Sequence, residues 1–177
     1  MTAKVLAVVA TLCYPFVIGF GLQYFGLISL ALLLLLVAAL RLYTHRDRVT
    51  LGLFFISIGL AVLALWNNQL LPLKLYPVAV NVAMLTLFTT SLYQKECIIE
   101  KFARLKNPQL SSQAVSYLRK LTKIWCIFFI FNGSIALFTA LYTSIQTWTI
   151  YNGFIAYLLI GTLLAGEWLF RKTFLKP

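Results

Sequence analysis

Acidic residues are nearly missing from this chain: four Asp and Glu stand against fifteen Lys and Arg. Charge as a whole is scarce, 11% of 177 residues where soluble domains carry about 25%. That scarcity works against catalysis by paired carboxylates, for which Glu96, Glu100 and Glu167 would be the main candidates. The single histidine, His45, sits in a turn beside Arg46 and Asp47 with no nucleophile nearby. Three cysteines, Cys13, Cys97 and Cys126, are too widely spaced for a zinc site or a disulfide framework and read as packing residues. No Gly-rich phosphate loop and no metal-ligand spacing occurs, so neither cofactor nor metal is expected. The N-terminal apolar run lacks a small-x-small cleavage pattern, and Leu12 precedes Cys13 where a lipoprotein signal wants a small residue. The first run is therefore expected to stay as a membrane segment.

What the chain does have is apolar surface, 62% of its residues. A span takes about 20 mainly apolar residues, because the hydrocarbon core is about 30 Å thick and a helix rises about 1.5 Å per residue. The sequence predicts an all-α, polytopic membrane helix bundle in one domain, residues 1–177, with six transmembrane helices. Their ranges are about 5–22, 27–43, 49–66, 75–93, 124–142 and 148–170. Pro15 interrupts the first, and Gly19, Gly21, Gln23 and Gly26 supply a turn before the second.

Basic residues set the orientation, since Lys and Arg accumulate in short cytoplasmic loops. With both termini cytoplasmic, fourteen of the fifteen fall on that side: Lys4; Arg41, Arg46 and Arg48; seven between Lys95 and Lys123; Arg171, Lys172 and Lys176. Only Lys74 falls outside. Trp66, Trp148 and Tyr151 then mark the outer boundary, and Tyr43, Tyr93, Trp125 and Trp168 the inner one. Topology and attraction to anionic lipids thus account for the net charge of +11, and nucleic acid is not expected as a partner.

A repeat also surfaces. Phe54-Phe55-Ile56 with Gly59 and Leu63 matches Phe128-Phe129-Ile130 with Gly133 and Leu137, and Leu75-Tyr76 answers Ile150-Tyr151. Tyr24, Gly26, Ile28 and Ala38 match Tyr151, Gly153, Ile155 and Ala165. Three parallel in-out-in hairpins would produce this pattern. So would the recurrence of aromatic and small residues at membrane boundaries.

Within the apolar spans the polar candidates are Asn81, Asn132 and Glu167. Glu167 lies four residues before Arg171, the spacing of a helical ion pair, and a proton or substrate role is the alternative. Asn132 falls near the bilayer middle, followed by Gly133 and Ser134, a pattern for close helix approach and interhelical hydrogen bonding. Asn81, with Thr86, Thr89, Thr90 and Ser91 below it, has the same two readings: helix glue or ligand site. If Asn81, Asn132 and Glu167 line a shared open cavity, transport is favoured; a dry, Leu-filled centre would favour a scaffold.

The loop 94–123 predicts an amphipathic helix lying on the membrane, with Ile98, Ile99, Phe102 and Leu105 on one face until Asn107-Pro108 stops it. Ser111-Ser112 then caps a second helix. Lys101, Phe102, Arg104, Lys106, Arg119 and Lys120 are the candidate contacts to anionic lipid or to a cytoplasmic partner.

The stretch Tyr117-Leu-Arg-Lys-Leu-Thr-Lys-Ile-Trp125-Cys-Ile-Phe128-Phe129-Ile-Phe-Asn132-Gly133, with Trp148 and a last span ending in basic residues, resembles the intracellular septation protein A family of bacterial inner-membrane proteins. The preceding Cys97-Ile-Ile-Glu-Lys-Phe-Ala-Arg-Leu and the chain length add to the likeness. The chain is also similar to a group of small membrane proteins encoded beside acyl-carrier and polyene-lipid synthesis genes. The resemblance covers roughly residues 75–172. It implies a non-enzymatic accessory of envelope or envelope-lipid synthesis, working with envelope-synthesis membrane proteins. A transporter of a lipid or small hydrophobic substrate is the alternative, and an intramembrane lipid-modifying enzyme the second.

Overall fold

The computed structural model describes residues 2–21, 24–45 and 47–174, and of these the side chains of 2–8, 106 and 170–174 are not described. Arg46 and Lys176, and the side chains of Lys4, Lys106, Arg171 and Lys172, thus lie outside the described residues, and with them the expected Glu167–Arg171 pair.

Helix α1 spans Thr2–Gly21, α2 Leu27–Thr44, α3 Arg48–Asn67, α4 Leu71–Lys74, α5 Tyr76–Leu92, α6 Ile98–Lys106, α7 Ser112–Tyr142, α8 Ile145–Ile150 and α9 Ala156–Phe174. A π-helical turn, Tyr151–Ile155, joins α8 to α9. No strand occurs among the described residues. Five segments are long and apolar enough to cross a membrane: α2, α3, Leu71–Leu92, α7 and Ile145–Leu169. In α1 the described apolar stretch, Val9–Gly21, is shorter.

Each long helix buries one stripe and turns Leu, Ile and Phe outward. In α2 the buried stripe is Leu30, Ala31, Leu34, Val37 and Ala38, while Ile28, Leu32 and Leu36 are exposed. Phe55, Phe131 and Leu158 continue this apolar exterior on α3, α7 and α9. A water-soluble protein rarely exposes so continuous an apolar surface, and a bilayer requires it.

Helix ends follow local chemistry. Asp47 caps α3, accepting from the Thr50 N–H at 2.8 Å and from Thr50 Oγ1 at 2.9 Å. Slight burial pushes its carboxyl up, but the hydrogen bonds prevail and hold it below the ordinary Asp value. Asn68 ends α3 in the left-handed region, φ 50°, which Asn tolerates better than most side chains. Ser111 and Ser144 cap α7 and α8 through the Ala114 and Thr147 N–H groups. Pro15 sits inside α1 and has no N–H for the Thr11 carbonyl, which instead accepts from the Tyr157 hydroxyl at 3.4 Å.

The fourth span, expected at about 75–93, is α5, and a separate turn, α4, beginning with Leu71 and Pro72, precedes it. The expected fifth span has no break before it: α7 runs 31 residues, about 46 Å at 1.5 Å per residue. It therefore extends well past a hydrocarbon core of about 30 Å.

The main core lies at the α4 end. Tyr14 and Ile18 of α1, Leu30 and Leu34 of α2, Ala61 and Ala64 of α3, Leu73, Tyr76 and Trp148 pack there. Tyr14 Oη donates to Leu73 O at 2.9 Å, and Trp148 Nε1 to Lys74 O at 3.2 Å. Two of the carbonyls that a four-residue helix leaves open are thereby satisfied from α1 and α8. A Cβ on Gly19 would fall into the Thr149 side chain, which fixes α1 hard against α8.

Residues matched by the sequence repeat occupy unlike surroundings. Gly59 faces open space, whereas a Cβ on Gly133 would lie 3.1 Å from Asn81 Cβ. Tyr24 is exposed and Tyr151 buried.

Candidate functional site

A polar chain crosses the middle of the bundle. Asn132 of α7 donates from Nδ2 to Asn81 Oδ1 of α5 at 2.9 Å, and its Oδ1 accepts from the Tyr151 hydroxyl at 2.9 Å. Asn81 Nδ2 donates to Pro77 O at 2.9 Å. The contact exists because Gly133 lets α5 approach α7. Nearby, Asn152 Nδ2 donates to Trp148 O at 3.0 Å and to Thr139 Oγ1 at 3.2 Å. The π-helical turn carries both Tyr151 and Asn152, and its extra residue per turn rotates them inward.

Below this chain α7 and α9 part. The space between them is a cleft of about 720 Å³, walled by Ile124, Phe128, Phe131, Ile135, Leu159 and Leu163. Asn132 and Tyr151 stand at its apex, and Tyr117, Lys120 and Glu167 at its other end. From Asn132 to Lys120 the helix rises about 18 Å, slightly more than half of a hydrocarbon core of about 30 Å. Gly161 and Gly166 present no side chain on α9, and a Cβ on either meets nothing within 4 Å. The walls suit a hydrocarbon chain, the apex offers neutral hydrogen-bonding groups, and one end offers an ammonium and a carboxylate. Lys120 is exposed and forms no ion pair with a described residue.

The three polar candidates of the spans therefore meet around connected space: Asn81 and Asn132 bond directly, and Asn132 and Glu167 line one cleft. The hydroxyls below Asn81 are not part of that arrangement. Thr86 and Thr90 donate to carbonyls of their own helix, Thr89 to Cys126 Sγ, and Ser91 to Phe88 O while accepting from the Ile98 N–H.

In the loop, the candidate contacts divide. Arg104 is engaged internally: its Nη2 is 2.7 Å from Glu100 Oε1, its Nε 3.2 Å from Glu96 Oε1, and its Nη1 donates to Pro108 O. Arg119 donates to Leu92 O, Gln94 O and Lys95 O, closing the C-terminus of α5. Arg104 thus braces the loop internally, and Arg119 ties the start of the loop to the end of α5. Lys101 donates to Gln94 Oε1 at 2.6 Å. Phe102 and Leu105 remain exposed on α6, at 65% and 83%, while Ile98 and Ile99 are half-buried. The Lys106 side chain lies outside the described residues.

Two aromatic residues are placed differently from their expected seats at the outer boundary. Trp148 is fully buried and Tyr151 nearly so, each spending its polar atom on a partner inside the bundle. Tyr43, Tyr93, Trp66 and Trp168 are exposed, as residues of a membrane boundary are. Tyr151, Asn152 and Thr139 escaped the sequence reading as site residues. The pair Tyr151-Asn152 ahead of Gly153 was the available signal, a hydrogen-bonding pair next to a residue that admits a neighbour. Gly153 does admit one, since a Cβ there would lie 2.9 Å from the Phe16 ring.

No protein-family model, curated protein or solved structure matches this chain. The site has to be read from its own geometry.

Proposed function

We propose that this protein is a non-enzymatic membrane accessory protein that holds the apolar chain of an amphiphile in the cleft between α7 and α9. The observation that carries the reading is the cleft itself: apolar walls about one leaflet long, with the Lys120 ammonium and the Glu167 carboxylate at one end. An ammonium beside an apolar groove suits an anionic or phosphate-bearing headgroup. The wall residues leave the hydrocarbon no polar surface to avoid. Transport of such an amphiphile, the alternative drawn from sequence, shares this site.

In this reading the chain crosses the membrane six times, α1 included, with both termini cytoplasmic and α6 on the inner surface, the arrangement that the basic loops favour. The membrane is the bacterial inner membrane and the process envelope or envelope-lipid synthesis, following the septation-family resemblance. Exposed Phe102 and Leu105 support a role for α6 as the face toward lipid or an envelope-synthesis membrane protein.

A photocrosslinking residue at Leu163, inside the cleft, tests the reading in native membranes. Adducts with a defined lipid, identified by mass spectrometry, are the expected result. Adducts only with a protein helix would replace the amphiphile by a subunit interface and end the proposal.

A further inference from the structure

A second cavity of about 320 Å³ lies beside the lateral cleft on the neighbouring face of α7, lined by residues of α1, α5, α7, the π-helical turn and α9. Asn132 and Phe128 line both it and the lateral cleft, so those two side chains form the partition between them. The second cavity differs in three respects.

First, none of its lining residues is Lys, Arg, His, Asp or Glu. A charged occupant would have no counter-charge there, and a bare charge at such depth is costly. Second, the walls are ring-rich, with Tyr76, Phe88, Trp125, Phe129 and Tyr157 among them. Phe88, Trp125, Phe128 and Phe129 already contact one another edge to face or tilted. Such walls favour a flat unsaturated molecule over a flexible saturated chain. Third, hydrogen-bonding capacity is left over. Asn152 is 4% exposed and its amide nitrogen makes two bonds, yet its Oδ1 accepts from no described group. Tyr76 is 2% exposed and its hydroxyl has no partner. Buried polar atoms are almost always paired, so the unpartnered Tyr76 hydroxyl, on a cavity that the open Asn152 acceptor also lines, calls for an occupant.

We infer that this cavity is an interior binding site for an uncharged, flat, unsaturated molecule bearing a hydroxyl group. The hydroxyl is the group that can serve both leftover atoms, donating to the Asn152 carbonyl oxygen and accepting from the Tyr76 hydroxyl. The site is separate from the amphiphile cleft and stands or falls independently of it.

The test is equilibrium binding of 2-naphthol to the full chain in nanodiscs, with protein-free nanodiscs to subtract partition into lipid and with naphthalene as the analogue without a hydroxyl. Saturable binding at one molecule per chain is expected, abolished by Met84→Trp, which fills this cavity, and retained in Gly166→Leu, which fills the other. Tyr76→Phe keeps the ring and removes a hydroxyl that has no structural partner, so folding should hold while 2-naphthol binds about fivefold or more weakly and naphthalene unchanged. Non-saturable uptake, identical in Met84→Trp, would mean that the cavity holds only water and would overturn the inference. Saturable binding lost in Gly166→Leu, or indifferent to Tyr76→Phe, would overturn it equally.

Discussion

The two ends of the bundle solve the same packing problem in opposite ways. At the α4 end, Tyr14 and Trp148 cover backbone carbonyls, Ala61 and Ala64 let helices approach, and Gly19 takes Thr149 directly against its backbone. Toward α6, by contrast, α9 offers Gly161 and Gly166 with nothing seated against them, and α7 offers Phe128, Phe131 and Ile124 to an empty space. Small residues therefore do not by themselves close a helix pair in a membrane. Lipid solvates an apolar face as well as another helix does, so closure needs specific packing or hydrogen bonds. The α4 end has both, and the polar chain Asn81–Asn132–Tyr151 marks where they stop.

The largest effect should come from breaking the closed end. Trp148→Ala removes the largest fully buried side chain together with its bond to Lys74 O. A loss of about 3–5 kcal/mol is expected for such a truncation, read as a fall in thermal or denaturant midpoint in detergent. An effect below about 1 kcal/mol would mean that this end is no more firmly packed than the cleft. Gly19→Val comes next, since its side chain must displace Thr149 and separate α1 from α8. Overpacking of this kind costs about 1–3 kcal/mol, and Thr149→Ala in the same chain should recover part of it.

Hydropathy made α2, α3 and α5 legible almost to the residue, because length and composition decide whether a helix survives in lipid; α7 begins 12 residues before the expected span because its polar first turns carry no such signal. Ser111 was legible as a helix start by chemistry alone, a cap before Ala114. Rotation about the helix axis was not legible. Trp148 and Tyr151 have the composition of boundary residues, yet both point inward, Trp148 from α8 and Tyr151 from the π-helical turn. No local rule announces that turn. Arg104 shows a third case: Glu100 precedes it by four, the spacing of one helical face, so that pairing was written in the sequence beneath a more conspicuous positive charge, whereas Glu96 lies ahead of α6 and meets Arg104 only through the fold of the loop. Asn81 and Asn132 were individually visible, whereas their direct bond joins residues 51 apart and depends on how α5 and α7 meet.

The seam between the two ends is sharpened by Asn132→Leu. It leaves the Asn81 carbonyl oxygen and the Tyr151 hydroxyl without their partner, at a depth where water is scarce. About 0.6–2 kcal/mol of destabilisation is expected. Asn81→Leu combined with it should cost clearly less than the two single losses added together, because the shared bond can be lost only once. Additive losses would show that the two asparagines act separately.

The smallest effect is expected at the open end, and its sign is what matters. Gly166→Leu puts a side chain where a Cβ meets nothing within 4 Å, and replaces the least helix-favouring residue after proline. If the cleft were a packing fault, filling it would be a gain without a cost: up to about 1 kcal/mol of stability from propensity, and no change in what the protein captures. If the cleft holds an amphiphile, the same small stability gain should come with loss of the lipid adduct formed from Leu163. Stability and capture are thus predicted to move in opposite directions, as happens when a space has been kept open at the expense of packing. A variant that is stabilised and still captures lipid would show that the occupant sits elsewhere, and the two ends would then differ in tightness alone.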